Sequence, residues 1–140
     1  LRYGEVLADV EAFWAMLKSV NPGARMLLTV SPVPLVATAT DGHVLPATIY
    51  SKSVLRAVAG DLAADHEDIH YFPSYELIIG HPSRGMFFDP DLREVNDFGV
   101  NTVMNQFFTG DLAREFGNPV NEMNEEFEVI CDEGRITEDL

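Results

Sequence analysis

The sequence is poor in cysteine, in positive charge and in long apolar runs. Cys131 is its only cysteine, which excludes a disulfide framework within the chain and fits a reducing, cytoplasmic compartment. No stretch reaches the roughly 18 apolar residues of a membrane span, and no basic segment leads into an apolar one as in a secretory leader. Nine Lys and Arg stand against 23 Asp and Glu, a net charge of −14. The clustered cations that bind nucleic acid or an anionic membrane are therefore missing. Nothing in the chain looks like the strained strand-to-helix turn that presents a nucleophilic serine, and there is no internal repeat or low-complexity tract.

What is present is a chain of 140 residues, 46% hydrophobic, long enough for one domain with a core and too short for two. Its acid is unevenly spread: from Asp111 onward ten acidic side chains face two basic ones, and apolar density falls at the same point. This divides the chain into an α/β unit over 1–110 and an acidic extension over 111–140. The extension is expected to be a solvated surface with one apolar island at 127–131.

Helical and strand patterns alternate along the first part. Val6, Val10, Phe13, Trp14 and Leu17 form an amphipathic stripe that predicts a helix over 5–20, stopped by Asn21-Pro22-Gly23. A short apolar strand over 25–30 follows and ends at the corner Ser31-Pro32-Val33-Pro34, where two prolines withdraw backbone donors. Residues 37–46 read as a loop with a turn at Asp41-Gly42, and Ser51 as the cap of a second helix with Val54, Leu55, Val58, Ala59 and Leu62 buried. A second strand over 69–72 ends at Pro73-Ser74-Tyr75-Glu76. Asn96 or Asp97 caps a third helix, in which Phe107 and Phe108 fill core. The order α-β-α-β-α argues for a mainly parallel sheet in a three-layer α/β/α sandwich. Two strands do not make such a sheet alone, so an N-terminal segment or a partner chain is expected to complete it.

The corner at Ser31 lies at the C-terminal edge of a parallel strand, where α/β proteins gather their ligand-binding loops. Lys52 and Arg56 stand one helical turn apart, and as cations near a helix start they suggest an anionic ligand, or a plain ion pair to Glu76 or Asp91. Tyr75 and its aromatic neighbours Tyr71 and Phe72 line either a sugar face or a packing rim. His43 follows the corner in a loop and is a candidate proton acceptor. His66 and His70 flank Glu67-Asp68 without the secure spacing of a metal site, so neither metal nor cofactor is expected.

Several blocks, Thr29-Val-Ser-Pro-Val-Pro34, Tyr50-Ser-Lys-Ser-Val-Leu-Arg56, Tyr71-Phe-Pro-Ser-Tyr-Glu76 and Phe88-Asp-Pro-Asp-Leu-Arg93 with Gly99-Val100 and Val103-Met104 behind it, resemble the GSCFA family in content and order. The resemblance covers most of residues 5–108. That family is similar to the SGNH/GDSL esterases, α/β/α hydrolases with a serine nucleophile near the N-terminus and an Asp-x-x-His pair near the C-terminus. By resemblance, then, this chain corresponds to the C-terminal half, with the nucleophile and oxyanion donors upstream of it. Where many relatives would carry Asp-x-x-His, it reads Asp91-Leu-Arg-Glu94. A carboxylate is a far weaker base than imidazole at neutral pH. Two expectations follow. In one, the intact protein is an ester hydrolase or acyltransferase on O-acyl esters, conceivably of a cell-surface glycan, with Asp91 orienting His43 or another histidine as base, Glu94 standing in the place of the pair's histidine, and Ser31, Lys52, Arg56 and Tyr75 binding substrate. In the other, the scaffold is a non-catalytic binding or assembly module whose dyad has decayed at Glu94.

Overall fold

The computed structural model describes residues 2–110 and Phe116. The acidic extension, with Cys131, otherwise lies outside the described residues. The order is α1 (Tyr3–Val20), β1 (Met26–Leu28), α2 (Val44–Asp65), β2 (Ile69–Tyr71), α3 (Ser74–Ile79), a single 3-10 turn (His81–Ser83) and α4 (Asp97–Thr109). The chain is thus a mixed α/β structure. Strands β1 and β2 pair in parallel, with Met26 opposite Ile69, Leu27 opposite His70 and Leu28 opposite Tyr71, and α2 is the crossover that parallel pairing requires.

Alternation along the strands decides what each face meets. Met26, Leu28 and Ile69 share one face and pack with Trp14 of α1 and Val58 and Leu62 of α2 in the main core. Leu27 and His70 point to the other face, where the ring of Phe116 stands edge-on to His70 at 5.1 Å. Lys18 secures the end of α1: its Nζ donates to the Pro22 carbonyl and to Asp68 Oδ2, both at 2.6 Å, which ties the helix C-terminus to the entry of β2. A cation suits that end of a helix.

Four elements differ from their sequence-based expectation. β1 ends at Leu28 rather than Val30: past Leu28 it is the Ser74 side chain, not a strand backbone, that bonds Thr29 and the Val30 carbonyl. Phe13 is 51% exposed: it lies at the edge of the α1 stripe, and Trp14 takes the centre. Helix α2 begins at Val44, seven residues before Ser51, with His43 as its cap. Pro46, in sequence a loop residue, sits in the first helical turn, where its missing N–H costs nothing. Finally, the corner after β2 continues into α3, a six-residue helix too short to show a period.

Helix α4 starts as expected at the Asn96 cap, whose Oδ1 accepts from the Gly99 N–H at 2.9 Å. Asn96 Nδ2 donates to the carbonyls of Met86 (2.9 Å) and Phe88 (3.2 Å). One side chain therefore caps the helix and closes the loop before it. Phe107 of α4 meets Phe72 edge-on at 5.2 Å, but Phe107 and Phe108 are half-buried and lie outside the main core rather than filling it.

Candidate functional site

The C-terminal ends of the two strands are stitched into one edge. The Phe72 N–H donates to the Leu28 carbonyl at 2.8 Å. Just beyond, Ser74 Oγ hydrogen-bonds Thr29 Oγ1 and donates to the Val30 carbonyl at 3.3 Å. Ser31 leaves this edge exposed, and its Oγ accepts from the Val33 N–H at 3.2 Å, so its own hydrogen remains available to donate.

Behind the edge lies a cavity of about 170 Å³ between α1, the end of β1 and α2. Its walls are almost wholly aliphatic, with Val6 and Val10 from α1, Leu28 and Val30 from the strand end, and Leu55 and Val58 from α2. The polar exceptions are Thr29, Ser31 and Lys52. Lys52 is only 9% exposed, and burial pulls its ammonium below the usual lysine range. Because α2 starts early, Lys52 falls mid-helix. The dipole argument for an anion at this position therefore lapses, and the case for one rests on burial.

Arg56 is engaged elsewhere. Its Nε pairs with Glu76 Oε1, its guanidinium lies 4.0 Å over the Tyr71 ring, and the Tyr71 hydroxyl donates to Glu76 Oε2 at 2.8 Å. This is the plain ion pair to Glu76 named above, and it joins α2, β2 and α3. Burial opposes the ionisation of Glu76, but the hydrogen bonds from Arg56 and Tyr71 outweigh it and hold the carboxyl below its ordinary value. Burial first, then the Glu76 hydrogen bond, pushes the Tyr71 phenol well up. Neighbouring Tyr75, in the first turn of α3, is raised by burial and then by the Glu76 charge.

A carboxyl with a depressed folded pKa stabilises the fold above its unfolded pKa, and that stability is lost as pH falls through the folded value. Glu76→Gln is therefore expected to cost about 1 kcal/mol at neutral pH. The difference from wild type should shrink once pH drops below the ordinary carboxylate range. Urea unfolding of both proteins at neutral and acid pH checks this. Asp68 and Asp91, also lowered, contribute to both proteins alike.

His43 is exposed at the α2 cap, where Nδ1 accepts from the Leu45 N–H at 3.1 Å. A neutral imidazole so used carries its hydrogen on Nε2, the reverse of the tautomer that takes a proton there. Asp91 and Glu94 sit on a separate loop, closed by a bridge between Phe88 and Val95 and by the Asp89 N–H donating to the Glu94 carbonyl at 2.9 Å. Asp91 Oδ1 accepts from the N–H groups of Arg93 (2.9 Å) and Glu94 (3.2 Å), and these bonds hold it ionised below the usual range. Leu92 between them has φ 59°, a conformation uncommon outside glycine.

The structure thus brings Ser31 and Lys52 to one cavity. His43, Arg56, Tyr75, Asp91 and Glu94 do not line it. Among the described residues no three His, Cys, Asp or Glu converge as metal ligands, and His66 is paired with Glu11 at 3.0 Å. No described helix is long and apolar enough to cross a membrane. The burial of Lys52 had a signal in the sequence: Thr48, Lys52, Leu55, Ala59 and Leu62 form a helical stripe with a lysine in a place where an apolar residue belongs.

Among known families, the model of the GSCFA family matches residues 1–107. No curated protein and no solved structure gives a match.

Proposed function

Because this chain belongs to the GSCFA family, we propose that it forms part of an SGNH-like ester hydrolase or acyltransferase acting on O-acyl esters, with a glycan as acyl carrier. The match over residues 1–107 carries the reading. The nucleophilic serine belongs to a segment N-terminal to Leu1, and it attacks the acyl carbonyl while a base takes its proton. Asp91 is the orienting carboxylate. Its Oδ1 is committed to two backbone N–H groups, and Oδ2, without a hydrogen-bond partner among the described residues, is the charge that would steady the base. For His43 to be that base, Nδ1 must release the Leu45 amide. Glu94, three residues from Asp91 in the Asp-x-x-His register, is too weak a base for that role at neutral pH, so a histidine has to supply it.

The test is turnover of aryl and O-acetyl-glycan esters by the full-length natural protein and its Asp91→Asn variant. Asparagine keeps the Oδ1 acceptor, so the loop stays intact while the charge is lost. A fall in kcat of about 10³-fold or more is expected, with unchanged melting. One observation favours a second reading, a non-catalytic binding module: no histidine follows Asp91 in register, and the loop histidine His43 spends its basic nitrogen on a helix cap. Ligand binding without turnover in the wild type would select that reading.

A further inference from the structure

We propose that the cavity between α1, α2 and the end of β1 is a binding site for a short aliphatic carboxylate, with Lys52 and Ser31 holding the carboxylate and the valine and leucine walls holding the chain. The inference goes beyond ester hydrolysis and does not require it.

The polar inventory of the cavity decides the sign of the ligand. The Lys52 side chain is more than nine-tenths buried, while its ammonium nitrogen keeps contact with solvent and has no hydrogen-bond or ion-pair partner among the described residues. A cation so placed keeps only part of its hydration, and an anion entering the cavity would restore what is lost. No Asp or Glu lines the cavity, and desolvation alone lowers the lysine. Ser31 adds a second donor, since its oxygen already accepts from Val33. Thr29 is tied to Ser74. The site therefore offers an ammonium and a hydroxyl donor, with no anionic acceptor among its lining side chains, to whatever enters.

The remaining walls decide the rest of the ligand. Val6, Val10, Leu28, Val30, Leu55 and Val58 offer nothing to a sugar hydroxyl or a second charge. They would leave a phosphate or a dicarboxylate with unpaired oxygens in an apolar wall. An aliphatic chain is what they match. At roughly 30 Å³ per water-sized group, a cavity of 170 Å³ holds about five or six non-hydrogen atoms. Butanoate is of that size.

The experiment titrates sodium butanoate into the full-length natural protein with labelled Val and Leu methyl groups and follows them by NMR. Saturable shifts confined to the Val and Leu methyls that line the cavity, those of Val10, Val30, Leu55 and Val58 among them, are expected. 1-Butanol, with the same chain and no charge, should bind about tenfold or more weakly. Lys52→Met keeps the length of the side chain and removes the charge, and should weaken butanoate about tenfold while leaving 1-butanol unchanged. Ser31→Ala, at an exposed position, should weaken butanoate several-fold. If Lys52→Met fails to fold, the butanoate and butanol comparison and Ser31→Ala decide. The proposal is overturned if butanoate gives no saturable shift, if butanol binds equally well, or if sodium chloride at the same ionic strength produces the same shifts. Undiminished butanoate binding by folded Lys52→Met would also overturn it.

Discussion

Leu62→Ala is expected to lower the unfolding free energy by about 3 kcal/mol, a large share of the roughly 5–15 kcal/mol that holds a small domain together. Leu62 is 1% exposed and joins α2 to Trp14, Ala24, Val58 and Ile69 in the main core. Truncation removes buried methyl groups and leaves a hole that borders the existing cavity, which Leu62 also lines. Its neighbours come from two helices and a strand, each held by its own hydrogen bonds, so little collapse is available and the cavity cost adds to the transfer cost. Trp14, the only tryptophan, lies in the same cluster and reports urea unfolding in both proteins. Leu55→Ala, at a position 36% exposed, is the control and should cost about 1 kcal/mol or less. Equal effects at the two positions would mean that the core is not centred on Leu62.

Gly99→Ala is expected to destabilise by about 2 kcal/mol, although alanine is the better helix former by roughly 1 kcal/mol. Gly99 is buried in the first turn of α4, and a Cβ there would lie 2.8 Å from Val95 Cγ1, 2.9 Å from Phe87 Cβ and 3.0 Å from the Phe87 carbonyl oxygen. Val95 can shift its methyl. Phe87 cannot move as easily, because its carbonyl accepts from the Asn96 N–H at 3.0 Å and its ring packs on Phe98. Sterics therefore outweigh propensity. Gly4→Ala supplies the opposite sign, since nothing lies within 4 Å of a Cβ at that position. Early in α1, it should gain about 0.5–1 kcal/mol. Thermal melts of the two variants test the contrast, and a stabilised Gly99→Ala would contradict the tight seat of α4 on the loop that carries Asp91.

These positions show which parts of the molecule could be read before its structure. The α1 stripe, the two apolar strands, the parallel crossover and the Asn96 cap are local patterns of period and chemistry, and the structure contains them. α3 was missed because six residues carry no period. The start of α2 was misplaced because a proline in a first turn and a proline in a loop read alike in sequence. At the candidate site, Ser31 was legible from its proline corner. The burial of Lys52 and the closure of Arg56 onto Glu76 depend on how α2 rotates over the strands, a tertiary fact that spacing alone only hints at. The same holds for the hydrogen bonding of His43: a loop histidine and a helix-capping histidine differ only in where the helix begins.

The central claim is that the natural protein transfers acyl groups through an activated serine outside this chain. The direct measurement is the mass and position of the adduct left by a fluorophosphonate probe on the full-length natural protein. The account predicts a single adduct, on a serine N-terminal to Leu1, suppressed by an O-acyl ester substrate and slowed by Asp91→Asn. Absence of any adduct, or an adduct on Ser31, would contradict it.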